Sequence, residues 1–221
     1  MEILVASVKE LNKRIITSFL LILLLFLAIK VSFFLLIVLF FIFCEIFYEF
    51  YYILNKIYKK HKLKFYLNLI FFLFYLTFFI LIIWSNLNSK NELNIIQIYL
   101  IISICVATDI GGYIFGNIFK GKKLTKISPK KTYSGMIGSY ISSLIVSSVF
   151  FNNYFTIENL FIISLVISSF SQIGDLSISY LKRKSKIKDT GNILPGHGGL
   201  LDRFDGLILA VPFGYLFFNI L

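Results

Sequence analysis

Only 15% of the 221 residues are charged, and the chain holds just 3 prolines, 2 cysteines, 2 histidines and 1 tryptophan. Each scarcity removes a class of protein. Cys44 and Cys105 fall inside apolar runs, with no C-x-x-C spacing and no histidine neighbour, which leaves no disulfide framework and no zinc site. A soluble domain could not hide a composition that is 58% hydrophobic with a mean hydropathy of +0.85. Its natural solvent is a bilayer. The net charge of +11 would suit a nucleic-acid binder, but the bases sit in loops between apolar runs, so no nucleic-acid partner is expected. Lys9, Lys13 and Arg14 precede an apolar stretch as in a signal peptide, yet no small-residue cleavage site follows. That stretch reads as a retained first span.

What is abundant is hydrophobic length. Apolar runs fall at about 15–29, 31–54, 65–84, 93–119, 135–155, 157–181 and 205–221. A helix needs about 20 residues to cross a bilayer core, so the first run is short and would thin the bilayer or pair with the second around Lys30. The expected fold is all-α: a polytopic integral membrane helical bundle of about seven transmembrane helices. Charge sets its direction. With the N-terminus cytoplasmic, the inner segments hold three bases before residue 15, five in 56–64, six in 120–131 and six in 182–203. Only Lys30 and Lys90, of 22 bases, are left outside.

The two halves differ in kind. All five aspartates and all three prolines lie beyond residue 105. Residues 1–92 therefore read as transmembrane scaffold. Residues 93–221 read as the catalytic transmembrane region, with cytoplasmic loops 120–134 and 182–204.

Four constellations carry chemistry. Asp109 lies about 15 Å of helix rise from the end of its run, where a carboxylate costs about 2.5–3.5 kcal/mol and marks a functional site by default; the plain alternative is a polar contact between helices. Gly112 and Gly116 form a small-xxx-small step that lets another helix approach. Ser128-Pro129-Lys130-Lys131-Thr132 offers ammonium and hydroxyl groups to phosphate, or else merely enforces topology. Asp175 ends the sixth run, and Asp202 and Asp205, three apart, share a face at the start of the seventh. Such hard oxygens suit Mg²⁺, although an ion-pair network with Arg203 and the lysines would use the same residues. His197, among glycines, is a ligand, an acid/base or a turn residue. Glu45 and Glu49 read as helix or interfacial contacts.

Together these residues resemble the phosphatidate cytidylyltransferase (CDP-diacylglycerol synthase) family. The carrying segment is Ser179-x-x-Lys182-Arg183-x4-Lys188-Asp189-x-Gly191, then Leu194-Pro195-Gly196-His197-Gly198-Gly199-x-Leu201-Asp202-Arg203-x-Asp205. Asp109-x-x-x-Tyr113-x-x-Gly116 and the block from Ile127 to Gly138 resemble further family segments. The similarity covers about 105–210, and before that it rests on hydropathy. Tyr133-Ser134 stands where the family has Trp-Glu, and the N-terminal part is short for the family, so one or two scaffold spans are expected to be absent or compressed.

The resemblance implies transfer of a cytidylyl group from CTP to phosphatidic acid, with Mg²⁺ as cofactor, within membrane lipid at the cytoplasmic (inner) membrane. A homodimer stays open. On this reading Asp175, Asp202 and Asp205 hold the metal, while Lys130, Lys131, Ser128 and Thr132 hold phosphates. Lys182, Arg183 and Lys188 take the triphosphate tail, His197 and Arg203 contact substrate, and Asp109 shapes the headgroup cavity. The rivals are a CTP-dependent polyprenol or phytol kinase and a transporter. The transporter would require inverted repeats that the chain does not display.

Overall fold

The computed structural model describes residues 31–125, 127–193 and 198–220. The first apolar run, the Lys9, Lys13 and Arg14 cluster, Lys30 and His197 lie outside the described residues. Six helices follow one another: α1 Ser32–Ile57, α2 Lys62–Leu87, α3 Glu92–Phe119, α4 Tyr133–Phe151, α5 Ile157–Lys184 and α6 Leu201–Phe218. Among the described residues the only β pairing is one isolated bridge, so the fold is all-α. Helices α1 to α5 are long and apolar enough to cross a membrane. α6 has 18 residues, with Asp202 in its first turn and Pro212 inside it.

Every apolar run from residue 31 onward became one helix, because in lipid a continuous helix satisfies the backbone within the segment itself. The ends moved for local reasons. α4 begins at Tyr133 because the Thr132 hydroxyl accepts a hydrogen bond from Gly135 N at 3.1 Å and caps the helix. It stops at Phe151, before Asn152 and Asn153, whose side chains favour turns.

The chain forms two compact units. The first comprises the described parts of Met1–Ile80 and Lys184–Arg203. In it α1 buries Leu35, Leu39, Ile46, Glu49, Phe50, Ile53 and Leu54, a single stripe at helical spacing. Phe50 stacks on Phe72 of α2 with ring centroids 3.6 Å apart. The opposite faces carry Phe33, Phe40, Phe71 and Phe74, of which Phe71 is 73% exposed. Rings of that size left bare along a helix are at home in lipid tails rather than in water.

The second unit, Leu81–Arg183 with Phe204–Leu221, is packed through small and hydroxyl residues. A Cβ on Gly111 or Gly138 would collide with Ser142 or Phe115 of the facing helix, so α3 and α4 touch almost backbone to backbone. Gly112 meets Ser139 and Gly135 of α4 in the same way, as its small-xxx-small spacing predicts. Buried hydroxyls fix the register. Thr108 donates to Ser168 at 2.9 Å, Ser139 to the Thr108 carbonyl at 2.7 Å, and Ser147 and Ser164 lie 2.6 Å apart. Each such bond contributes about 0.6 kcal/mol in a bilayer, so their main effect is on register.

At the α5–α6 crossing Gly174 lies against the backbone of Asp205 and Gly206, while Gly214, further along α6, lies against Ile101 of α3. A Cβ at 174 meets a carbonyl oxygen that cannot swing away; one at 214 meets the tip of a flexible side chain at 3.1 Å. Overpacking against backbone costs about 1–3 kcal/mol. Gly174→Ala should therefore lower the melting temperature in detergent clearly more than Gly214→Ala. Equal melting temperatures would refute the backbone crossing.

Candidate active site

The site grows from the loop between α3 and α4. Beyond Phe119 the backbone turns through Lys120 and Gly121, both at positive φ (50° and 105°), a conformation that glycine adopts freely. The chain then doubles back as a narrow ladder: Leu124 N donates to Lys131 O at 2.8 Å and Tyr133 N to Lys122 O at 3.1 Å. Pro129 sits at the turn, which closes through Lys131 N to Ser128 O at 3.0 Å. Ser134 donates to the Lys120 carbonyl and lies 2.9 Å from the Thr132 hydroxyl. Ser134 thus ties the loop base to α4.

This loop borders a cavity of about 310 Å³. Thr108, Asp109 and Gly112 line it from α3, Ser128, Lys130, Lys131 and Thr132 from the loop and cap, and Gln172 and Asp175 from α5. Lys131 forms an ion pair with Asp175 Oδ2, both side chains being about a quarter exposed. The other Asp175 oxygen accepts from Ser179 at 3.2 Å. Asp205 lies within electrostatic range of Asp175, Asp109 and Lys182, and its Oδ1 accepts from Gly206 N at 2.8 Å. The close backbone crossing of α5 and α6 at Gly174 brings Asp205 within that range of Asp175. Hydroxyls, ammonium groups and carboxylates in one cavity can hold a phosphate ester and counter its charge.

Most of the expected residues in this unit therefore meet: Asp109, Ser128, Lys130, Lys131, Thr132 and Asp175 border one cavity, with Asp205 near Asp175. Arg183 stands apart, its Nε donating to the Ile127 carbonyl at 3.4 Å, so it braces the loop from outside the cavity lining. Thr108, Ser139 and Gln172 line the cavity without having been singled out. Buried hydroxyls in an apolar run are the faint signal that could have found the first two.

The first unit carries two further acids of the signature, Asp189 and Asp202. Asp202 Oδ2 accepts from Thr190 N at 2.8 Å and Gly199 N at 3.2 Å, and the Thr190 hydroxyl lies 3.0 Å away. Gly198 adopts φ 81° beside it. Lys188 and Arg203 are exposed. Glu49, expected at a helix or interfacial contact, is buried and accepts from Thr190 Oγ1 and from Leu200 N and Leu201 N at the start of α6, at 2.6, 2.8 and 2.8 Å. Glu45 and Glu49 also border a second cavity of about 450 Å³ with Tyr48, Asp189 and Asn192.

Among the described residues no three His, Cys, Asp or Glu side chains gather as a ready-made metal cage. The donor set nevertheless fits Mg²⁺, which binds through one or two carboxylates and completes its shell with substrate phosphates and water. Asp175 and Asp205 are hard oxygen donors of that kind.

These helices and this cavity define a multi-pass membrane protein with a polar lysine–aspartate site. A sequence model of the cytidylyltransferase family matches residues 4–221, and the chain belongs to that family. It is 46% identical over 142 residues to a phosphatidate cytidylyltransferase of Rickettsia typhi, covering 60% of this chain and 61% of the relative. It is 47% identical over 134 residues to that of Rickettsia bellii, covering 56% and 58%. For Staphylococcus saprophyticus the figures are 47% over 109 residues, 48% and 42%. The chain thus spans about three fifths of the Rickettsia relatives it matches.

Removing the Ser134 hydroxyl should loosen the loop without unfolding the helices. One hydrogen bond contributes about 0.5–1.5 kcal/mol, so Ser134→Ala should speed tryptic cleavage at Lys122, Lys123, Lys130 and Lys131 by about three- to tenfold. An unchanged cleavage rate would remove Ser134 as the tether.

Proposed function

We propose that the chain transfers a cytidylyl group from CTP to phosphatidic acid, giving CDP-diacylglycerol and pyrophosphate. The observation that carries the reading is the Lys131–Asp175 pair, set in a cavity with Lys130, Ser128, Thr132 and Asp109, in a member of the cytidylyltransferase family. A phosphate oxygen of phosphatidic acid attacks the α-phosphorus of CTP. The new O–P bond forms as the bridging bond between α- and β-phosphates breaks, and pyrophosphate leaves with the electron pair. The nucleophile is already an anion, so no strong general base is needed.

The protein's task is to bring two polyanions together and neutralise the leaving group. Lys130 and Lys131, aided by the Ser128 and Thr132 hydroxyls, hold phosphate oxygens, and Asp109 keeps the lipid headgroup's cavity polar inside the bilayer. Lys182, Arg183 and Lys188 serve the triphosphate tail, and His197 and Arg203 contact substrate. Mg²⁺, held by carboxylates among Asp175, Asp202 and Asp205, would supply a further positive charge to the phosphates. The proposed setting is the cytoplasmic membrane with loops 120–134 and 182–204 inside, the arrangement that puts all but two of the 22 bases on the inner face. A homodimer is compatible with this reading.

Purified protein given phosphatidic acid and CTP labelled at either the α- or the γ-phosphate provides the test. The α-label should enter lipid only when Mg²⁺ is present, and EDTA should abolish the transfer reversibly. Lipid that gains only the γ-label would make the chain a kinase instead. Asp175→Asn, Asp202→Asn and Lys131→Gln should each lower turnover by about a hundredfold or more while the protein still inserts in the membrane. Full turnover in both aspartate variants would end the metal assignment.

A further inference from the structure

Glu49 takes no part in the chemistry above, yet among the described residues it is the one carboxylate that is buried. It lies on the inward stripe of α1 and is 3% exposed. Three donors converge on its two oxygens. Leu200 N reaches Oε1 at 2.8 Å, while Leu201 N and the Thr190 hydroxyl reach Oε2 at 2.8 and 2.6 Å. The two amides stand at the start of α6, where N–H groups have no partner within the helix and a negative group is favoured. Glycines make this approach possible: a Cβ on Gly199 would come within 2.6 Å of Glu49 Oε1, and one on Gly191 would also collide with the carboxyl group.

From Glu49 the contacts continue to the signature aspartate. The Thr190 hydroxyl lies between Glu49 Oε2 at 2.6 Å and Asp202 Oδ2 at 3.0 Å. It has one proton to give, and the shorter distance favours Glu49. Asp202 keeps the amides of Thr190 and Gly199 as its donors. The two acids are thus joined through one threonine, whose backbone serves the second and whose side chain serves the first.

We propose that Glu49 is a positioning residue for nucleotide binding. Acting through Thr190 and the amides of Leu200 and Leu201, it sets the place of Asp202 and the first turn of α6. This rests on the cytidylyl-transfer reading. The site needs a carboxylate in particular, because donors approach both oxygens. A glutamine would present its own N–H₂ to one of them, leaving a buried donor unsatisfied.

The test combines steady-state kinetics in detergent with amide hydrogen exchange on the full chain. Glu49→Gln should raise KM for CTP about tenfold while KM for phosphatidic acid stays within about twofold, and the Leu200 and Leu201 amides should exchange about tenfold faster. Thr190→Val should move KM for CTP the same way, and Thr190→Ser, which keeps the hydroxyl, should return it to within about threefold of the wild type. A role in bulk folding alone would lower kcat through the active fraction and leave both KM values in place. An unchanged KM for CTP in Glu49→Gln overturns the proposal. So does a Thr190→Ser variant as impaired as Thr190→Val, and that pair decides the matter if Glu49→Gln does not fold. A wild-type protein that makes no CDP-lipid would instead defeat the activity reading, with the exchange rates still reporting whether Glu49 anchors the segment.

Discussion

The near-contact of backbones between α3 and α4 is the constraint on which the second unit depends. Lipid gives no hydrophobic reward for pressing two apolar helices together, so close packing and a few hydrogen bonds must hold them. Gly111, Gly112, Gly135 and Gly138 remove the side chains that would keep the axes apart. The hydroxyls of Thr108 and Ser139 then define one register. With the helices so near, the loop between them has a narrow base to bridge, and it folds back over that base as a ladder with Lys130 and Lys131 near its tip. The position of the cations is thus a consequence of missing methyl groups a full turn or more away.

The two units solve different problems with different residues. In the first, a phenylalanine stack and an aliphatic stripe join α1 to α2, and a single buried carboxylate gathers the glycine-rich segment and the start of α6. In the second, small residues and hydroxyls make the interfaces and the charges are kept for the cavity. Apolar packing tolerates volume-conserving change, whereas a backbone crossing tolerates almost none. Helices α1 and α2 hold no glycine and α3 to α6 hold eight, which follows that division of labour.

How much of this was legible in the chain depends on the range of the interaction. Helix positions were legible because an uninterrupted apolar run in a bilayer has one low-energy backbone solution. Asp109 stood out because a carboxylate well inside an apolar run is costly and therefore informative, and Lys131 and Asp175 because they stand where apolar runs give way to polar loops. That Lys131 would choose Asp175, 44 positions away, was not legible. Nor was the role of Glu49, whose partners lie 141 to 152 positions on. Periodicity records what a residue needs from its own helix, and on that evidence Glu49 and Glu45 look alike; a distant partner distinguishes them. The contact of Arg183 Nε with the Ile127 carbonyl, 56 positions back, was equally out of reach of a reading that saw only its place in a basic run.

The ion pair between Lys131 and Asp175 means that the cavity compensates its own charge before any ligand arrives. An anion that draws the ammonium away leaves the carboxylate uncompensated, and a cation at the carboxylate releases the ammonium. Each kind of ligand thereby removes the competitor of the other. By thermodynamic reciprocity the gain would be the same in both directions, so a pair of this kind would couple the binding of an anion to that of a cation.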